Sequence, residues 1–149
     1  MDWVGYFCEV GGEAAVNAVD LDIAAPQAER PFIVYLRARR SRWLKCNLEP
    51  EEEAQLLDDI EVFVERIAAL HDAFYVGRSS MPDARCFVLY APEGKYLGRW
   101  LQRAFANLDT YGYDAEVASG RDAAWTVYRK FLCPGPAEMA TIAARAERA

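Results

Sequence analysis

A run of cations around one indole is the strongest local bias in this 149-residue sequence: Arg37, Arg39, Arg40, Arg42 and Lys45, with Trp43 among them. Guanidinium and ammonium groups grip phosphates and an indole stacks on a base, so the stretch has the chemistry of an RNA contact. The competing readings are a solvated loop, partly neutralised by the acidic residues that follow it, and a face for a protein partner. The net charge of −6 opposes general nucleic-acid affinity, because non-specific binding is driven mainly by charge. A second set lies further on: Tyr75, Arg78, Arg85, Tyr90, Asp122, Trp125 and Tyr128. Arg78 and Arg85 are expected to meet across the mouth of a β-hairpin, where Asp122 or a ligand carboxylate would make charge-assisted hydrogen bonds to them. That set reads either as a clamp holding the C-terminal segment on a sheet or as a ligand or partner site. Gly77 is expected to leave room on the sheet for a neighbouring ring, Trp125 or Tyr128.

Other chemistries are poorly served. Zinc and redox sites need close pairs such as C-x-x-C, so that one turn presents two ligands to one ion. Cys8, Cys46, Cys86 and Cys133 lie far apart, and His71 is the only histidine. No metal or cofactor is expected, and the thiols are read as reduced and incidental. Asp58, Asp59 and Glu61 form a carboxylate cluster, yet a charge run on a helix is ordinarily its wet face. There is no G-x-S-x-G elbow, a Cys–His pair would have to join His71 to one of the scattered thiols, and Gly11-Gly12 lacks the lysine and helix of a phosphate loop. The sequence therefore points to no catalytic residue, and a non-enzymatic role is the expectation.

The elements that must position these groups follow from periodicity. Hydrophobic residues at 53% and charged residues at 27% are those of an ordinary globular chain of one domain, 1–149. Trp3–Val10 and Ala14–Leu21 read as a hairpin about Gly11-Gly12. Phe32–Leu36 is a near-continuous β run, and Arg37–Lys45 is expected as a loop or frayed strand end. A helix starts near Pro50, with Glu51, Glu52 and Glu53 at the positive end of its dipole. Leu57, Ile60, Val64 and Ile67 form its apolar stripe, widened by Leu56, Phe63 and Leu70, and Asp58, Asp59, Glu61 and Glu65 its polar side. Phe74–Arg78 and Arg85–Tyr90 predict a hairpin over 74–90, joined by Ser79–Ala84 with a Pro82-Asp83 turn. A helix over Gly94–Leu108, a strand at Tyr113–Ala118, a helix or turn at Asp122–Leu132 and a final helix at Pro136–Ala149 complete the chain.

From Phe32 onward the order is β-α-β-β-α-β. The expected class is α+β, a ferredoxin-like sandwich over 32–118 with both helices on one face, an N-terminal hairpin (1–22) and a C-terminal helical extension (122–149). RNA-recognition motifs use such a sheet to stack bases on exposed aromatics. Arg85-Cys86-Phe87-Val88-Leu89-Tyr90 shares the leading cation and aromatic spacing of their signature but lacks its glycine, so these aromatics are read as sheet core. The opening Met1–Tyr6 has neither the basic start nor the apolar run of a secretory signal, and no uncharged stretch would span a bilayer. A cytoplasmic location without a membrane partner is expected.

Aromatics in fixed order give the chain a recognisable outline: Trp3-Val4-Gly5-Tyr6-Phe7-Cys8, then Tyr75-Val76-Gly77-Arg78 followed by Arg85, Phe87 and Tyr90. Tyr111-Gly112-Tyr113, Asp122-Ala123-Ala124-Trp125-Thr126-Val127-Tyr128 and Phe131-Leu132-Cys133-Pro134 close it. Over most of its length the sequence resembles the bacterial family known as domain of unknown function 695. In some longer members that domain stands beside one similar to the protein regulator of ribonuclease E. The resemblance implies a cytoplasmic regulatory or binding role and brings no catalytic residues with it. The function expected is a non-enzymatic module that binds a protein partner. The alternatives are an immunity protein neutralising a toxin, and an RNA-binding module using the basic stretch 37–45; the oligomeric state is left open.

Overall fold

The computed structural model describes residues 2–148. β1 (Trp3–Val10) and β2 (Glu13–Asp20) pair with Val10 opposite Glu13. The two-residue turn between them places Gly11 and Gly12 at φ +58° and +84°, the left-handed values that such hairpins demand and glycine adopts without steric cost. β3 (Phe32–Arg40) follows. α1 (Pro50–Leu70) opens with proline in its first turn, and the Glu49 N–H donates to the Glu52 carboxylate at 3.0 Å, satisfying one free donor at the helix start. β4 (Phe74–Met81) and β5 (Ala84–Ala91) form the central hairpin about Pro82-Asp83. Then come α2 (Lys95–Ala104), a 3₁₀ turn (Ala106–Tyr111), β6 (Tyr113–Arg121), a π-helical turn (Val127–Leu132) and α3 (Pro136–Arg148).

The class is α+β: all six strands form one sheet in the order β1-β2-β4-β5-β3-β6, antiparallel at every junction. Side chains alternate across it, so β3, β4 and β5 each feed two separate cores. Val34, Leu36, Phe87 and Leu89 meet Ile60, Val64 and Ile67 of α1 and Leu97 and Leu101 of α2 on one face. Ile33, Val76, Val88 and Tyr90 meet Trp125, Tyr128 and Leu132 on the other. The N-terminal hairpin extends the sheet, and the C-terminal segment covers the face the helices leave open. Inner strands covered on both sides read as continuous apolar runs, which is why β5 shows no polar alternation.

Several boundaries differ from the sequence expectation. Of the two readings of Arg37–Lys45, the strand end holds for Arg37–Arg40 and the loop for the rest: β3 runs on to Arg40, fully paired and not frayed, because β5 and β6 pair with it along both edges, as far as Arg39 opposite Ala84 and Arg40 opposite Tyr113. β4 and β5 continue through Ser79–Met81, leaving a two-residue turn instead of a six-residue connection. The buried stripe of α1 is narrower than its apolar residues suggest, with Phe63 53% and Leu70 77% exposed. α2 ends at Ala104, and the chain tightens into the 3₁₀ turn before reversing at Gly112, φ +78°. There a Cβ would lie 2.6 Å from the Cα of Cys46, so only glycine lets the two segments touch. Among the described residues no helix is long and apolar enough to cross a membrane.

Candidate functional site

The residues expected to form one clamp fall into two groups on opposite faces. Arg78 and Arg85 lie on the α1 side, where Arg78 stands opposite Phe87 and Ser80 opposite Arg85. Asp58 and Glu61 are three residues apart on α1 and so share one flank above these strands. The Glu61 carboxylate accepts the Tyr75 hydroxyl at 2.8 Å and the Arg78 guanidinium. Arg85 reaches Asp58 at 3.3 Å and Glu61 at 4.0 Å, and its buried Nε has no hydrogen-bond partner among the described residues. Burial, and then the neighbouring carboxylate of Glu61, push the Tyr75 hydroxyl well above the ordinary phenol range; it stays protonated and donates. Asp122 is therefore not the partner of the two arginines. The alternation of side chains puts it under the other face, and the carboxylates read as the wet side of α1 take its place.

On that second face Asp122 organises the chain as it leaves β6. Its carboxylate accepts the Tyr90 hydroxyl at 2.7 Å and the N–H groups of Thr126 and Val127 at 2.9 and 3.1 Å. Burial by itself would raise this carboxyl; the bonds from Tyr90, Val127 and Thr126 outweigh it and hold the group below the usual range. Trp125, fully buried, stacks on Tyr90 with ring centroids 4.1 Å apart and donates its indole N–H to the Arg30 carbonyl at 2.8 Å. Tyr128 donates to the Asp20 carbonyl at 2.6 Å. Gly77 makes its close approach to Leu132, whose Cδ1 would lie 3.1 Å from a Cβ there, and to the Ala18 carbonyl at 2.9 Å. The nearest neighbours there are thus Leu132 and the β2 backbone, closer than any ring of Trp125 or Tyr128.

The basic stretch is divided by the strand end. Arg37 pairs with Glu116 at 3.6 Å, Arg39 with Asp83 at 3.9 Å and Arg40 with Glu53 at 2.5 Å. Glu53 also accepts the Tyr113 hydroxyl; the Arg40 hydrogen bond, against the effect of burial, keeps its carboxyl low. Arg42, Trp43 and Lys45 remain on the connection to α1, with Trp43 90% exposed on a turn in which the Ser41 hydroxyl accepts the N–H groups of Trp43 and Leu44. His71 closes α1 with Nδ1 2.9 Å from the Ile67 carbonyl and packs beside Tyr96 and Trp100. Among the described residues no group of three or more His, Cys, Asp or Glu side chains is placed to hold a metal ion.

A groove of about 630 Å³ opens where the end of α1, the start of β4 and the segment after β2 converge. Its lining includes Trp3, Phe74 and Tyr75 together with Asp20, Asp22, Glu65 and Asp72; Asp20 is buried, its Oδ1 accepting the N–H groups of Asp2 and Asp22, and Asp72 is bonded to Arg30. Trp3 reaches Tyr75 with ring centroids 5.2 Å apart, so the groove adjoins the Glu61 network. The chain already shows what this lining holds: the Arg30 guanidinium lies 4.0 Å above the Phe74 ring and bonds Asp72 at 2.6 Å and Gln27 at 2.8 Å. A cation is received by a ring face and fixed by a carboxylate. Sequence reasoning missed this groove because Trp3, Asp20 and Asp72 are brought together only by strand pairing, with Trp3 opposite Asp20. The one signal available was an aromatic at the start of an N-terminal strand.

A family model described as "Family of unknown function (DUF695)" matches residues 1–133. No curated protein and no solved structure matches the chain.

Proposed function

The chain belongs to the DUF695 family, and we propose that it is a non-enzymatic protein-binding module whose groove takes an arginine- or lysine-bearing segment of a partner. The observation that carries this reading is Arg30, seated on Phe74 and held by Asp72, two residues of the groove's lining. Carboxylates over an apolar floor favour a side chain with an aliphatic stem and a cationic head, because both parts are then satisfied at once. We read the platform as a ferredoxin-like sandwich; the order β4-β5-β3-β6, a split β-α-β arrangement, supports it. A cytoplasmic regulator and an immunity protein that neutralises a basic toxin are two versions of this reading and differ only in the partner.

Titration of the isotope-labelled protein with an Arg-rich and a Glu-rich peptide of equal length tests it. The expected result is saturable shifts at Trp3, Ile23 and Phe74 with the basic peptide alone, weakened roughly tenfold by Glu65→Lys. Shifts confined to Arg42–Lys45, or none with either peptide, overturn it.

The exposed Trp43 between Arg42 and Lys45 favours one second reading, an RNA contact. It predicts binding to single-stranded RNA that falls steeply with salt and is lost in an Arg42→Ala, Lys45→Ala double variant. Its weakness is that Arg37, Arg39 and Arg40 are already matched to carboxylates.

A further inference from the structure

The sheet has two edge strands, β1 and β6. At one end Arg145 of α3 lies 5.9 Å over the Phe7 ring of β1. At the other, β6 is paired only with β3 along all nine of its residues, Tyr113–Arg121. Natural edge strands are usually blunted by proline, bulges, lysine or brevity. β6 is long, contains no proline and runs in unbroken register with β3, and residues 118–121 are exposed.

The outward main-chain groups can be assigned. Ser41 N–H bonds the Gly112 carbonyl and Asp122 N–H bonds the Pro31 carbonyl, while Arg40 N–H turns the opposite way, to Asp83. By alternation the even-numbered residues of β6 bond to β3, and Ala115, Val117 and Ser119 aim their N–H and C=O groups outward. The Ala115 carbonyl agrees with this, since it accepts Gln102 Nε2 at 3.4 Å, a long, exposed bond that strand pairing at this edge would replace.

We propose that β6 pairs with β6 of a second copy of this chain, antiparallel about Val117, to continue the sheet through a two-fold axis. The self-complementarity of the strand favours this occupant. Centred on Val117, Glu116 faces Ala118 of the second copy, Asp114 faces Gly120, Ala115 faces Ser119 and Tyr113 faces Arg121. No two carboxylates oppose, and the small residues stand where the acidic ones arrive. The whole strand is used. Centring on Glu116 would set two glutamates together, and centring on Ala115 would set Asp114 against Glu116, both unfavourable across strands. Arg37, already 3.6 Å from Glu116, lowers the charge carried to the joint. A two-fold pairing also closes the assembly, with no free β6 edge remaining.

Analytical ultracentrifugation of the full chain and two charge variants of the exposed Ala118 tests this. The wild type is expected to dimerise in the micromolar range, more tightly with added salt because each copy is acidic. Ala118→Glu, which brings a carboxylate opposite Glu116, is expected to weaken the dimer roughly tenfold, and Ala118→Lys to strengthen it. Ser119→Pro, which removes an outward donor without touching the ladder to β3, is expected to give a folded monomer. Amide exchange at Ala115, Val117 and Ser119 should slow with protein concentration. A wild type that stays monomeric at about 100 μM, or Glu and Lys variants that behave alike, overturns the proposal.

Discussion

Glu61 is the residue on which the α1 face of the hairpin turns. It receives Tyr75 and Arg78 and stands 4.0 Å from Arg85, with its side chain only 15% exposed. Glu61→Gln keeps the shape and removes the charge, leaving two guanidinium groups partly buried without their full counter-charge. A loss of about 2–3 kcal/mol in urea unfolding is expected, with helix content unchanged by circular dichroism. Glu53 and Asp122 both have folded-state pKa values below their ordinary ones. Each therefore binds protons more readily when unfolded, and each stabilises the fold at neutral pH. That stabilisation is lost as pH falls below the usual carboxylate value of about 4 and through the lower folded values. Asp122→Asn should lower stability at pH 7 by about 1–2 kcal/mol and flatten the acid limb of stability against pH, measured by denaturant titration.

Among the elements, the C-terminal segment has two parts of unequal weight. The π-helical turn is tied in by Trp125, Tyr128 and Leu132, and Gly77 lets it approach the sheet. Gly77→Ala would place a Cβ 2.9 Å from the Ala18 carbonyl and 3.1 Å from Leu132. One contact is with backbone in a paired strand and cannot yield cheaply, so a cost of about 1–3 kcal/mol is expected, read as a lower thermal midpoint and weakened near-ultraviolet signal from Trp125. α3 contributes no buried residue, and the family match stops before it at residue 133. A chain ended after Gly135 is expected to unfold in one transition with stability within about 1 kcal/mol of the parent. A larger loss would mean that Ile142 and Arg145 do more for β1 than their partial contacts indicate.

For the whole molecule, charge is arranged as much as summed. A chain of net charge −6 matches Arg37, Arg39 and Arg40 to its own carboxylates and gathers Asp20, Asp22, Glu65 and Asp72 around one groove. Binding of a basic peptide there is expected to weaken several-fold between low and physiological salt, as exposed charge pairs are screened over about 8–10 Å. Isothermal titration at two ionic strengths reads this directly. A salt-independent affinity would place the binding energy in the apolar floor instead.

The order and type of the elements were legible in the sequence because they depend on local causes. Gly11-Gly12 marked a turn that needs positive φ, Pro50 with three glutamates marked a helix start, and apolar period distinguished α1 from the strands around it. The aromatic outline, Trp3 to Tyr128, was enough to place the family. Pairing across the sheet was not local and had to be decided by the tertiary structure. Sequence spacing brought Asp122 near Arg78 and Arg85 as a plausible counter-charge, but one residue of alternation separates the two faces of a strand, and Asp122 lies under Tyr90 instead. The same alternation turned the apparently wet flank of α1 toward the arginines. It also carried Arg37 and Arg39 into cross-strand reach of their acidic partners. What the residues could do was written along the chain; which of them meet was settled only when strands with two covered faces took their register.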